Sequence, residues 1–427
     1  MTTVNELGHL EICGKDVVAL AQKYQTPLYI MDKSKILSSI RSFKNSMEKY
    51  YGGKGLITYA SKAFLCQEMA RIVMDEGIGI DVVSEGELYT AISVGFPANK
   101  IFFHGNNKTV REISYALSYG VGKIVVDNLD ELELISNISQ SMNKTADILL
   151  RLKPGVDAHT HSFIRTGQID SKFGLAIQTD EAMEAVEKAI KTPNINLKGF
   201  HCHIGSQIFD ITPFEHAAEV MLGFIADVKE KFGYEIEELD LGGGFGIKYA
   251  EEDAPQPYEN YMERVSKVVF DTCEKLGIKT PFIILEPGRS IVGEAGTTVY
   301  TVGAIKDIKD VRKYVSVDGG MCDNPRYALY EARYEASVAN KANLPKNQIV
   351  TIAGKCCESG DLIGKDMPLG DVNVGDFVAV FSTGAYNYSM SSNYNRILKP
   401  AVLLVDEENE KIIVKRETLE DIIRNDI

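Results

Sequence analysis

An eightfold alternation of two sequence textures restricts what this chain can fold into. Short apolar runs occur at Ile57–Ala60, Ile80–Val83, Ile101–His104, Ile124–Val126, Ile148–Leu152, Leu197–His203, Leu239–Leu241 and Phe282–Glu286. Between them, Leu65–Met74, Glu85–Val94, Val110–Tyr119, Glu181–Ile190, Phe214–Phe232 and Tyr258–Leu276 carry apolar residues at helical spacing or are long enough to need it. Strand–helix units repeated over about 250 residues match the usual size of a closed barrel. The sequence therefore predicts an α/β fold with a TIM-type (β/α)8 barrel over residues 36–290. A doubly wound open sheet is the competing arrangement.

After Arg289 the texture changes. Val299–Ile305, Tyr314–Val317, Ile349–Ala353, Phe377–Phe381, Ala401–Val405 and Ile412–Lys415 read as strands with few helical stretches between them. Thr26–Met31 also reads as a strand and is expected to join them. The second domain is thus a mainly antiparallel β-barrel or sandwich made of residues 1–35 and 291–427. A chain of 427 residues is too long for one ordinary core. No low-complexity linker separates the halves, so a packed interface is expected.

Composition narrows the function classes. The chain is 44% hydrophobic and 25% charged, as in soluble globular proteins, and no apolar run approaches a bilayer span. Met1–Glu6 has neither the basic nor the apolar region of a secretory signal. A net charge of −14 argues against nucleic acid and anionic membranes as partners. Seven cysteines without framework spacing fit free thiols in a reducing cytoplasm.

Barrel chemistry gathers at the carboxyl ends of the strands. Here those ends carry Lys62, then Asp81 and Ser84, then His104, Arg151, the run His201–Gln207, the glycine run Gly242–Gly246, and Glu286-Pro287-Gly288-Arg289. A lysine closing a buried strand is costly unless it is neutralised, paired or used covalently, and a neutral amine forms a Schiff base with an aldehyde. A lysine at such a place can also simply face solvent. The glycine run lets backbone N–H groups approach an anion, as a phosphate cradle does, or forms a tight turn. It lacks the spacing of a dinucleotide fingerprint and the Gly-Lys-Ser/Thr of a P-loop. Glu286 can protonate and hold a ring nitrogen, or form an internal salt bridge with Arg289. His201 and His203 share one strand face, and His159 and His161 repeat the spacing. A zinc site is the rival reading of these pairs and fits poorly, because early-strand ligands are lacking; His203 stacked on a planar cofactor fits better, and no metal is expected. In the β domain, Arg326 and Tyr330 lie four residues apart, Cys357 and Glu358 sit among polar residues and glycine, and Tyr386 supplies another phenol.

Together, Tyr59–Ala63, His201–Gln207, Leu241–Gly246, Glu286–Arg289 and Cys357–Asp361 closely resemble the diaminopimelate decarboxylase family, of the fold type III group with the alanine racemase-like barrel. The resemblance covers nearly the whole chain. It implies a lyase that uses pyridoxal 5'-phosphate to convert meso-2,6-diaminopimelate to L-lysine and CO2 in lysine biosynthesis. It also implies roles: Lys62 holds the cofactor covalently, His203 stacks on its ring and Glu286 binds the ring nitrogen. Ser206, Gly243, Gly244, Gly288, Arg289 and Tyr386 belong to the cofactor-binding set. Arg289, Arg326, Tyr330, Glu358 and Tyr386 grip the substrate's distal head, and Cys357 is the proton donor. Cys357 and Glu358 reach the site across a homodimer interface, with Lys172 the expected partner of Asp361 in the other chain. Cys202 and Cys356 carry no role. A decarboxylase of another basic amino acid would have no distal carboxylate for the arginines. A racemase would need a second base opposite Lys62, and a non-catalytic homologue would be expected to lose Lys62 or Cys357.

Overall fold

The computed structural model describes residues 2–156 and 171–427. His159 and His161 lie outside the described residues. Two compact units are present: one comprises residues up to Ser38, Ile247–Ala254 and Arg289–Ile427, the other Ser39–Gly246 and Pro255–Gly288.

The second of these units is a closed parallel barrel. Its strands are β1 (Gly55–Ala60), β2 (Gly79–Val82), β3 (Ile101–Phe103), β4 (Lys123–Val126), β5 (Ala146–Lys153), β6 (Ile195–His201), β7 (Glu238–Asp240) and β8 (Phe282–Leu285). Each pairs with the next, and β8 pairs with β1 to close the ring. The expected barrel is thus observed, and the open sheet is excluded. All eight expected runs are strands, with ends shifted by a few residues. A further two-residue strand, Leu175–Ala176, continues beside β5.

Side chains two residues apart along a strand share a face. Phe102, Val125, Leu149 and Ile284 pack together inside the ring with Leu56 against them, an apolar floor. Two residues on, four of these strands carry or lead to His104, Asp127, Arg151 and Glu286. The pleat therefore stacks a polar layer directly above the apolar one.

The helix Leu129–Ser141, absent from the sequence expectation, shows why it was missed. Its inward face holds Leu132, Ile135 and Ile138, but also buried Glu131, Ser136 and Ser139. Glu131 pairs at 2.6 Å with Lys108, also buried, and accepts the Asp127 N–H. A buried ion pair breaks the apolar period without breaking the helix. Ser84, noted as a strand-end polar residue, caps the helix Glu85–Ser93 by accepting the Glu87 N–H.

The other unit is built around the long strand Gly296–Ile308. It pairs antiparallel with Leu28–Asp32, Arg312–Val317 and Phe377–Phe381. The expected joining of the early strand is observed. The sheet is mixed: Leu28–Asp32 runs parallel to Ala401–Val405, and Arg312–Val317 parallel to Gln348–Ala353. Both faces of the long strand's first half, up to Val302, are buried, while the second half is largely exposed. Tyr300 and Val302 enter one core with Val315, Ile352 and Val380; Val299 enters another with Leu28, Ile30 and Leu403. Three short strands between Thr2 and Asp16 and the helix Val17–Tyr24, capped by Asp16, were not anticipated.

Gly199 of β6 sits where the facing strand leaves no room for a side chain. A Cβ there would lie 1.9 Å from the Glu238 carbonyl oxygen of β7. The strand register shifts beside it, between Leu197 and Gly199. Gly199→Ala must push β6 from β7. It is expected to destabilise the protein by about 2 kcal/mol, as overpacking does, read from denaturant unfolding; an unchanged midpoint would show that the barrel yields there freely.

Candidate active site at the carboxyl ends of the barrel strands

The polar layer of the barrel is a dense set of charges. Asp81, His104, His201, Asp240 and Glu286 are all buried. His104 Nε2 lies 2.7 Å from Glu286 Oε1, and His201 Nε2 lies 3.1 Å from Oε2. The two imidazoles meet edge to face at 4.9 Å. His201 Nδ1 is buried without a hydrogen-bond partner among the described residues. The proton of neutral His201 therefore belongs on Nε2, where it donates to Glu286.

These contacts decide the charge states. Burial opposes ionisation of Glu286, but His104 and His201 outweigh it and hold the carboxyl well below its usual range. Burial drives His201 down to about 3, against the pull of Glu286, so it is a neutral donor. Burial pushes Asp81 up to about 6, against the nearby Lys62 ammonium. Burial, and then Glu286, raise Asp240 well above the usual carboxylate range. His203 is lowered by burial and by Lys62. One carboxylate of the cluster is thus kept anionic while its neighbours are pushed toward neutrality, a separation typical of functional sites.

Lys62 lies in the turn Ser61–Ala63 just beyond β1, half-buried. That turn is held to the loop after β8: the Ala60 N–H donates to the Pro287 carbonyl at 3.2 Å, and a Cβ on Gly288 would lie 2.8 Å from the Ala60 Cβ. Both oxygens of Asp81, across the ladder from Ala60, are buried without a hydrogen-bond donor among the described residues. Lys62 is thus the amine of this cluster, felt electrostatically by Asp81 and His203, and an amine is the group that condenses with an aldehyde.

The glycine loop after β7 is compulsory in shape. A Cβ on Gly243 would lie 2.2 Å from the Glu286 carbonyl oxygen. Gly244 has φ +113°, and its Cβ would meet the Gly205 carbonyl at 2.6 Å. The Ile208 N–H donates to the Gly244 carbonyl at 3.0 Å, which joins this loop to the one carrying Ser206. Asp240 Oδ1 accepts the Gly242 N–H at 2.8 Å, and the Gly243 N–H donates to His203 Nδ1 at 3.3 Å. Such paired loops with small residues suit a phosphate.

Of the expected site residues, Lys62, His203, Ser206, Gly243, Gly244, Glu286 and Gly288 belong to the barrel unit, and Arg289, Arg326, Tyr330, Cys357, Glu358 and Tyr386 to the β unit. In the β unit, the Arg289 guanidinium lies 4.8 Å over the Tyr386 ring. Tyr386 has φ +60°, a strained conformation for a tyrosine that marks functional turns more often than ordinary ones. Tyr330 ends the short helix that Arg326 begins. Cys357 and Glu358 are exposed, and the Cys357 N–H donates to Asn395 Oδ1 at 2.7 Å. Cys356 is buried, and burial raises its thiol to about 11.

One expectation is corrected. Asp361 is 3% exposed and accepts the Met321 N–H at 2.5 Å and the Cys356 N–H at 2.6 Å. It ties the Cys356–Gly360 loop to its own chain, and its burial leaves it inaccessible to Lys172 of another. Sequence reading also missed Asp240, Tyr249 and Tyr334. Asp240, a strand-end acid two residues before the glycine run, was within reach of the pattern; the two tyrosines had no local signal.

Relatives of known identity agree with this chemistry. Residues 33–293 match the family model described as "Pyridoxal-dependent decarboxylase, pyridoxal binding domain". A diaminopimelate decarboxylase of Bacillus methanolicus is 50% identical over 415 residues, 97% of this chain and 96% of that one. The Bacillus subtilis enzyme of that name is 48% identical over 423 residues, 99% and 96% of the two chains. The crystal structure of diaminopimelate decarboxylase from M. jannaschii in complex with L-lysine superposes with a TM-score of 0.92 at 36% identity, covering 100% of this chain and 98% of that one. This chain belongs to the diaminopimelate decarboxylase family.

Proposed function

We propose that the barrel end holds pyridoxal 5'-phosphate and that the protein converts meso-2,6-diaminopimelate to L-lysine and CO2, as a cytoplasmic homodimer. The observation that carries this reading is the convergence of Lys62, His203, anionic Glu286 and the glycine loop at one end of the barrel. These residues fit the cofactor group by group. The amine of Lys62 suits its aldehyde, the His203 ring suits its face, Glu286 suits its ring nitrogen, and Gly243, Gly244 and Ser206 suit its phosphate. When bound, pyridoxal phosphate supplies an electron sink for cleavage of a Cα–carboxylate bond.

The chain's own residues do the remainder. Glu286, kept anionic by two histidines, holds a proton on the ring nitrogen. Lys62 would hold the cofactor through its aldehyde carbon. Arg289 and Arg326 give the distal carboxylate charge-assisted partners, which a substrate lacking that group could not use. The partner's Cys357 delivers a proton to Cα after CO2 leaves. Exposure of Cys357 and Glu358 on their own chain supports their use by another.

His104, His201 and Glu286 also place three ligand atoms within 4.8 Å of one another, which a small cation could exploit. The tautomer of His201 favours hydrogen bonding instead. Dialysis of the cofactor-loaded enzyme against EDTA is accordingly expected to leave CO2 release unchanged, and a loss restored by zinc would reverse that choice.

Purified protein incubated with meso-diaminopimelate should release CO2 and lysine, with L-lysine and L-ornithine as slow controls. Lys62→Ala should abolish both the reaction and the visible absorption that borohydride bleaches. A borohydride-reducible linkage persisting in that variant would remove Lys62 from the anchor role. Subunit sharing is tested by mixing inactive Lys62→Ala with inactive Cys357→Ala. One site of each heterodimer then carries neither lesion, so up to about half of its sites should recover. Confirmed exchange without recovered activity would place Cys357 within its own chain's site.

A further inference from the structure

Arg289 and Arg326 of the β unit are each 7% exposed. Buried cations are expensive unless paired. Phenols are among the groups that face both. Arg289 Nη1 donates to Tyr249 Oη at 2.6 Å, and Arg326 Nη1 donates to Tyr334 Oη at 3.0 Å. Both guanidiniums also lie over the Tyr249 ring, Arg289 at 5.6 Å and Arg326 at 4.5 Å from its centroid. Tyr249 and Tyr334 meet edge to face at 5.7 Å. The supports are themselves fixed. Asn387 Nδ2 donates to Tyr334 Oη at 3.2 Å and to the Thr383 carbonyl at 3.0 Å. The Tyr249 N–H donates to Asp253 Oδ2 at 3.0 Å.

Phenols differ from carboxylates in one respect that matters here. A carboxylate beside Arg326 would orient it and also cancel its charge. A phenol oxygen orients the guanidinium and a ring face attracts it, while the positive charge remains for a ligand. Arg–carboxylate recognition is planar and bidentate, so it depends on how the fork is aimed. Among the described residues no carboxylate pairs with Arg326; the neighbours that stabilise its charge are Tyr249, Tyr334 and Tyr386.

We propose that Tyr249 and Tyr334 are positioning residues that aim Arg289 and Arg326 as an anion receptor and so set the preference for a substrate end that carries a carboxylate. This rests on the decarboxylase reading above. Neither tyrosine touches the reacting carbon; each acts through an arginine.

The test uses the pyridoxal phosphate-loaded enzyme and its Tyr249→Phe and Tyr334→Phe variants, which keep the rings and remove the oxygens. Steady-state kinetics with meso-diaminopimelate are combined with equilibrium binding of L-lysine, which bears a carboxylate, and of 1,5-diaminopentane, which does not. Each variant is expected to raise KM and the L-lysine Kd about tenfold or more, the size of a lost hydrogen bond to a charge. Binding of 1,5-diaminopentane and kcat should stay within twofold, and the visible absorption unchanged. The proposal is overturned if L-lysine affinity is unaffected, or if L-lysine and the diamine weaken equally, which would indicate a general structural role. If the wild-type enzyme fails to decarboxylate diaminopimelate, the functional reading falls, and the L-lysine against diamine comparison still decides the role of the tyrosines.

Discussion

The pleat of a closed parallel barrel governs the active end of this protein. Closure by β8 on β1 leaves no edge, so every inward residue must be accommodated in a ring of fixed width. The apolar floor of Phe102, Val125, Leu149 and Ile284 fills that width. The next inward positions then have nowhere to go but a second layer, and there the chain spends polar residues. His104, Arg151, His201, Asp240 and Glu286 lie together because each is one pleat above, or at the matching height to, a residue that had to be apolar.

Such a layer costs stability unless its charges satisfy one another. Here the compensation is uneven. Glu286 takes contacts from two histidines and stays ionised, while Asp81 and Asp240 are pushed toward neutrality. The asymmetry gives the site one dependable anion. It also makes His201, pushed to a neutral Nε2–H donor, part of what defines that anion.

The β unit solves the converse problem. It buries two arginines, gives Arg326 no carboxylate among the described residues, and places Tyr249, Tyr334 and Tyr386 around them. Aromatic rings and phenol oxygens hold Arg326 in place, and among the described residues no carboxylate cancels its charge. Tyr249 follows the glycine loop by only three residues, so the segment that leaves the phosphate-like cradle in sequence supplies a support for the arginines.

The strand–helix alternation was legible because parallel barrel strands are buried on both faces and their helices amphipathic, so local pattern carries the fold. Lys62, Glu286 and the glycine run were legible because residues of that kind are anomalous at strand ends. The helix Leu129–Ser141 escaped because Glu131 and Lys108 form their pair only after folding. The clamp on Glu286 escaped because it joins the ends of β3, β6 and β8, which are far apart in sequence and neighbours only across a closed ring. Asp361 was assigned outward on the strength of its motif, whereas the fold turns it inward onto backbone amides of its own chain. Residue types and spacing determined the architecture and which candidate groups stand at the strand ends. Tertiary structure decided which of those groups carry charge, because charge in a buried cluster depends on partners that no local sequence window contains.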